Sequence, residues 1–256
     1  MAILMWLTQD SQVFLRQPSR GIASPPPGWT LEKVAIAAAD GTPLAGVLVL
    51  PPREPRAAPL ATVIHFGGNA EEATAYAREA DRNYGRRAVL LVNYRGYGDS
   101  GGRPGEKALV ADALVLHDWV ARRGDLDPGR ICAHGRSLGA GVAVQLAAAR
   151  PLKCLVLTSP FESLVAVGKG HMPWLPVGLL LRHRFECLQL APALKVPALM
   201  VYGGADDIIP AVHSERLADA WGGPVERLRL EGFGHNDLDL DPRYAQAVVA
   251  FLDRHL

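Results

Sequence analysis

From residue 61 to the C-terminus, short runs of β-prone apolar residues alternate with longer segments of helical periodicity, and this alternation restricts the fold more than any other feature of the chain. Residues 61–66, 88–94, 130–134, 153–158, 196–202 and 225–230 read as strands. Residues 71–84, 107–122, 138–149 and 244–255 read as helices; in the second, Leu109, Ala113, Leu116 and Val120 recur at helical spacing. Strands separated by helices of this length predict an α/β fold with a mostly parallel central sheet and helices on both faces. Ahead of it, apolar runs at 34–36 and 44–50 flank Asp40-Gly41-Thr42-Pro43, the turn chemistry of an antiparallel hairpin. Residues 1–29 read as an irregular N-terminal segment ending in the breaker Ser24-Pro25-Pro26-Pro27-Gly28, so one folded domain is expected over 30–256.

Hydrophobic residues make up 49% of the 256, enough to cover both faces of such a sheet. The 27 Lys and Arg nearly balance 26 Asp and Glu, so the overall field selects neither nucleic acid nor an anionic membrane. The three cysteines, Cys132, Cys154 and Cys187, are odd in number and widely spaced, which predicts free buried thiols rather than a disulfide framework. The sequence has neither a CxxC pair nor an HExxH motif, so no metal site is expected. The N-terminal run Met1-Ala2-Ile3-Leu4-Met5-Trp6-Leu7 is far short of the roughly 20 apolar residues of a membrane span, and it has no basic leader or small-residue cleavage site. The expectation is a cytoplasmic protein without a transmembrane segment, with peripheral membrane contact as its variant.

In parallel sheets, chemistry collects at the carboxyl ends of strands. Gly135-Arg136-Ser137-Leu138-Gly139 lies between a strand and a helix, the context in which G-x-S-x-G lifts a serine out of the sheet. At the start of that helix, backbone N–H groups and the helix dipole favour developing negative charge. A serine hydroxyl is a weak nucleophile and needs a positioned base. Carboxylates follow the strand at 196–202, in Gly203-Gly204-Ala205-Asp206-Asp207, and a histidine follows the next strand, in Gly234-His235-Asn236-Asp237. The chain order Ser, then acid, then His suits a strand-end triad. Of eight histidines, His65 and His134 lie within strands, His117 lies in a helix and His255 at the terminus. His171, His183 and His213 lack a strand-end loop, which leaves His235 as the base. Position alone does not separate Asp206 from Asp207, and Glu162, after the preceding strand, is a third acid.

Phe66-Gly67-Gly68-Asn69-Ala70, Asn93-Tyr94-Arg95-Gly96-Tyr97-Gly98-Asp99-Ser100, Gly135-Arg136-Ser137-Leu138-Gly139, Gly203-Gly204-Ala205-Asp206-Asp207-Ile208-Ile209-Pro210 and Gly234-His235-Asn236-Asp237 occur in that order. Over about residues 30–256 the chain resembles the Bem46-like α/β-hydrolases, nearly lidless relatives of the α/β-hydrolase-domain proteins that cleave palmitoyl thioesters. The resemblance implies Asp206 as the acid, from its spacing to Gly203 and Pro210. It implies the backbone N–H groups of Asn69 and Leu138 as oxyanion donors. Gly67 stands where the family often has histidine, a change that leaves a backbone donor intact. Many relatives carry an N-terminal anchor or palmitoylated cysteines; the first cysteine here is Cys132.

Residues 159–192 form the expected cap, a short one that carries Met172-Pro173-Trp174-Leu175 and Leu179-Leu180-Leu181. Its apolar residues serve either core packing or an acyl-binding wall. Phe66, Gly68, Phe161 and Trp174 are the candidate substrate contacts. The expected reaction is hydrolysis of a carboxylic ester or thioester, on a small molecule or an acylated protein, through an acyl-enzyme on Ser137. His235 acts as base and Asp206 orients it, without cofactor, metal or nucleic acid. The alternatives are a peptidase or lactonase with the same triad, and a non-catalytic binding protein on the same fold.

Overall fold

The computed structural model describes residues 9–54 and 57–256. The chain enters the sheet through β1 (Thr30–Ala37) and β2 (Pro43–Leu50), an antiparallel pair in continuous register from Thr30↔Leu50 to Ala37↔Pro43. Their turn is set locally: the Asp40 carboxylate accepts the Thr42 N–H at 3.0 Å, and Gly41 takes φ 81°, which glycine adopts without penalty.

β3 (Leu60–Phe66) leads through a 3-10 segment, Ala73–Glu79, into α1 (Ala80–Tyr84). Then come β4 (Ala88–Val92), α2 (Glu106–Ala121), β5 (Leu126–Arg136), α3 (Leu138–Ala149) and β6 (Cys154–Thr158). The cap carries α4 (Leu164–His171), α5 (Val177–Leu180) and α6 (Cys187–Leu190). β7 (Ala198–Gly203), α7 (Ala211–Asp219), β8 (Val225–Leu230) and α8 (Pro242–His255) complete the domain. Among the described residues, eight strands form one sheet in the order β1-β2-β4-β3-β5-β6-β7-β8, and every pairing from β4 to β8 is parallel. α7 is a helix that the sequence reading does not assign. β5 starts at Leu126 rather than 130, because its pairing with β3 slips between Leu60↔Leu126 and Thr62↔Ile131; the turn-prone Asp127-Pro128-Gly129 between them hides the first contact.

Side chains alternate across each strand, and both faces are apolar, as a sheet covered on both sides requires. Ile64, Leu90, Ala133, Leu155 and Met200 pack under α2, α3 and the cap, while Val63, Leu91, Cys132, Val156 and Val201 pack under α1 and α8. Cys132 and Cys154 are register partners on neighbouring strands, both buried as free thiols. Edge strand β8 presents Glu226, Arg227 and Arg229, charges that discourage pairing with another chain. No helix among the described residues is long and apolar enough to cross a membrane.

The N-terminal segment departs from the irregular reading of residues 1–29. Residues 9–13 are helical and Phe14 is 2% exposed, buried in the core with its ring edge-on to His183 at 4.8 Å. Gln9 Nε2 donates to Leu180 O at 3.1 Å, the Gly98 N–H donates to Gln17 O at 2.8 Å, and the Arg20 N–H donates to Glu72 Oε2 at 2.8 Å. The segment therefore runs from the cap across the loops that follow β3 and β4. These contacts join residues more than fifty positions apart, which a local reading of Pro and Gly punctuation does not register. The apolar run at 1–7 lies outside the described residues.

Phe14→Ala removes a fully buried ring. It should lower the unfolding free energy by roughly 3 kcal/mol, read as a shift of the urea midpoint at constant slope. A loss below about 0.5 kcal/mol, the scale of an ordinary surface change, would show that the segment adds nothing to the core.

Candidate active site

Ser137 stands between β5 and α3 at φ 53° and ψ −118°, a left-handed conformation that a non-glycine residue holds only under constraint. The constraint is the close approach of helix and sheet. A Cβ on Gly139 would lie 2.1 Å from Phe66 O, and one on Gly135 would lie 2.3 Å from Gly139 O, so neither position has room for a side chain. The Ser137 N–H donates to Thr158 O at 2.8 Å, which fixes the turn to β6. Its side chain makes no cap bond to α3; Oγ instead lies 2.9 Å from His235 Nε2.

His235 Nδ1 lies 2.8 Å from Asp206 Oδ2. A carboxylate can only accept, so Nδ1 carries the imidazole proton and Nε2 is left to accept from the Ser137 hydroxyl. The Asp206 carboxylate is wholly buried. Its Oδ1 accepts the backbone N–H groups of Ile208 at 3.0 Å and Ile209 at 2.7 Å, and Oδ2 also accepts from Ser159 Oγ at 3.1 Å. Burial alone would raise this carboxyl's pKa. The bonds from His235, Ile209 and Ile208 outweigh that and hold it below the usual carboxylate range. The adjacent Asp207 is exposed. Glu162 is engaged elsewhere, with Oε1 3.1 Å from Arg216 Nη1 and Oε2 3.3 Å from His213 Nδ1. The structure thus brings Ser137, His235 and Asp206 together and leaves the other two acids out.

His65 and His134 belong to a buried network below the site. The Tyr84 hydroxyl lies 2.9 Å from His65 Nδ1 and 2.7 Å from His134 Nδ1, and His134 Nε2 lies 3.0 Å from Thr158 Oγ1. Burial holds His65 well below its ordinary pKa and His134 down at about 3, so both stay neutral.

The loop after β3 is fastened from several sides. The Tyr94 hydroxyl donates to Gly67 O at 2.9 Å, and Asn69 Oδ1 accepts the Leu15 N–H at 2.8 Å and the Tyr97 hydroxyl at 2.9 Å. Leu138 opens α3, so its N–H is one of those that a helix start leaves without an intrahelical acceptor. Asn69, Leu138 and Ser137 line one cavity of about 320 Å³, walled by apolar side chains of the cap and by Gln9, Gln12 and Val13 of the N-terminal segment. Phe161 lines it as expected. Phe66 and Gly68 do not: the Phe66 carbonyl is pressed against Gly139, and Gly68 is packed on Arg136 and Glu71. Trp174 is 72% exposed and also stands off the wall. A turn closed by the Leu175 N–H on Met172 O at 3.1 Å places Met172 and Leu175 on the cavity instead.

Sequence reasoning missed Ser159, Arg136, Glu71 and the N-terminal wall. Ser159 had a signal, its place at the carboxyl end of the strand next to the Ser137 turn. Arg136 had one too, its place directly before Ser137 in the strand-to-helix turn.

The family model for X-Pro dipeptidyl-peptidase (S15 family) matches residues 40–182, which include the Ser137 turn and stop before the loops of Asp206 and His235. An uncharacterized protein of Mycobacterium tuberculosis is 44% identical over 179 residues, 70% of this chain and 64% of that protein, so the match spans less than two thirds of that relative's length. An acetyl xylan esterase from Paenibacillus sp. R4 superposes with a TM-score of 0.78 at 21% identity, covering 99% of this chain and 94% of that one. An esterase from Pyrococcus furiosus does so with a TM-score of 0.73 at 21% identity, covering 93% and 99%. At that identity the likeness is one of fold: the chain has the α/β-hydrolase fold.

A fluorophosphonate probe should label the wild-type protein on Ser137, and Ser137→Ala should abolish labelling without moving the thermal midpoint. Labelling that survives in Ser137→Ala would place the reactive serine elsewhere.

Proposed function

The chain belongs to the X-Pro dipeptidyl-peptidase (S15) family, and on that premise we propose that it is a serine hydrolase that cleaves carboxylic ester or thioester bonds through an acyl-enzyme. The observation that carries this reading is the hydrogen-bonded chain from Ser137 Oγ through His235 to Asp206, at 2.9 and 2.8 Å. In this reading Ser137 Oγ attacks the carbonyl carbon as His235 Nε2 takes its proton. Asp206 keeps the imidazole in the accepting tautomer and stabilises its cation. The Asn69 and Leu138 N–H groups bind the oxyanion, each worth roughly 3 kcal/mol in comparable holes. His235 then protonates the leaving alcohol or thiol, and water discharges the acyl group by the same steps.

The cavity supports an ester over a peptide. The acyl half of a substrate stays on the serine and its oxyanion donors, and those three residues line the apolar cavity. The described residues that line it include no Asp or Glu. A dipeptidyl-peptidase must fix a free α-ammonium, and the polar side chains of this wall, Gln9, Gln12 and Asn69, carry no charge to pair with it. Within this frame we read the chain as Bem46-like, on the order and spacing of its five motifs. The family description favours the second reading, a peptidase with the same triad.

Turnover of p-nitrophenyl esters tests the proposal. Activity should rise from acetyl to medium chains, since each buried CH₂ contributes up to about 0.8 kcal/mol. Asp206→Asn should lower kcat by about 10⁴, the loss seen for the equivalent change in a serine protease, while Asp207→Asn should cost less than about tenfold. Faster turnover of Ala-Pro-p-nitroanilide than of any ester would favour the peptidase.

A further inference from the structure

Arg136, the residue before Ser137, has no place in the reaction described above, yet from the Ser137 turn its guanidinium reaches the loop after β3, through Glu71, and the His235 loop. Its side chain is 15% exposed, and Nη1 is in contact with Oε1 of Glu71, itself 18% exposed. The other oxygen of Glu71, Oε2, accepts the Gly68 N–H at 2.6 Å. Arg136 Nη2 donates to the His235 carbonyl at 2.8 Å and to Asn236 Oδ1 at 2.9 Å. A Cβ on Gly68 would lie 3.0 Å from Arg136 Nη1 and 3.1 Å from Glu71 Oε1, so glycine is what lets the donor loop sit down on the pair.

We propose that Arg136 and Glu71 form a positioning clamp that sets the distance from the Ser137 turn to the oxyanion loop on one side and to the His235 loop on the other. The inference rests on the serine-hydrolase reading and adds to it two residues that touch no reacting atom. Three features support it. The pair is largely buried, where an ion pair serves specificity of geometry more than stability. The planar guanidinium spreads its donors in a fixed fork, so one side chain holds acceptors from two loops in one plane; a lysine ammonium could match the charge but not the fork. The clamp also grips main chain: the carbonyl of His235 itself, and the N–H next to Asn69.

Burial draws the Arg136 pKa below its ordinary value, with Tyr244, Asp239 and Asp206 opposing that pull. Removing Glu71 alone would leave a buried cation unpaired. A loss of folding in a single variant would therefore say nothing of positioning, and the paired variant Arg136→Met/Glu71→Leu, which removes both charges, is the informative one.

The experiment measures p-nitrophenyl butyrate kinetics, and the affinity of an alkyl boronic acid that mimics the tetrahedral intermediate, for wild type, Arg136→Lys, Arg136→Met and the paired variant. Circular dichroism first establishes that each is folded. A misplacement of the order of 1 Å costs about 100-fold. The clamp therefore predicts a kcat about 100-fold down in Arg136→Met and in the paired variant, with KM within about threefold, and partial rescue in Arg136→Lys. Boronic acid affinity should fall in parallel with kcat/KM, because the analogue needs the aligned donors and the ground state does not. A folded paired variant with kcat within about threefold of wild type, or a loss confined to KM, would overturn the clamp while leaving the hydrolase reading intact. Wild-type protein that neither turns over the ester nor binds the boronic acid would overturn the hydrolase reading instead.

Discussion

The close contact between the start of α3 and the end of β3 is the constraint on which the site depends. With no side chain at Gly135 or Gly139, the helix settles onto the Phe66 and Gly67 carbonyls. That contact forces the turn between them into the left-handed region at Ser137. A backbone conformation of this kind costs on the order of 1–3 kcal/mol, and the surrounding sheet must supply it. The Ser137 N–H bond to Thr158 and the parallel pairing of β5 with β3 and β6 do so. The same contact places the first N–H of α3 beside the loop that carries Asn69, so one packing event produces the raised hydroxyl and brings both candidate oxyanion donors to one cavity.

The sheet converts sequence distance into proximity. Ser137 and His235 are 98 positions apart and Asp206 and His235 are 29 apart, yet all three stand on loops at the carboxyl ends of parallel strands, β5, β7 and β8, with β6 between the first two. Side-chain bonds hold these loops where strand geometry alone would not. Asp206 is anchored by two backbone N–H groups and Ser159 before it meets the imidazole. An anchored carboxylate orients its partner with little reorganisation, the condition under which electrostatic stabilisation is largest. Ser159 is itself at φ 46°, a second left-handed non-glycine residue within reach of the same carboxylate.

The cap and the N-terminal segment close the apolar side of the site together. Gln9 bonds both Leu180 O and the Arg182 N–H, Phe14 enters the core beside His183, and the Leu15 N–H reaches Asn69. The wall of the cavity is thus shared between the insertion after β6 and a segment from the opposite end of the chain. The cap's apolar residues divide the same way: Phe185 and Cys187 fill the core, while Leu164 and Met172 face the cavity.

The sequence by itself determined the strands of the sheet and the long helices α2, α3 and α8, because strand and helix periods are local patterns read over a few residues. It determined the order serine, acid, histidine at strand ends for the same reason: α3 at Leu138–Ala149 and β8 at Val225–Leu230 fall where the pattern puts them. Only the tertiary structure set Asp206 rather than Asp207 against the imidazole through a contact, since adjacent loop residues differ in direction and not in composition. It alone turned Trp174 outward and Met172 inward, joined Arg136 to Glu71 across 65 positions, and laid residues 9–20 over the loops after β3 and β4. Each of these is a contact between side chains or segments far apart in the chain, fixed by the packing of the whole sheet. A local pattern of apolar and polar residues carries no record of it.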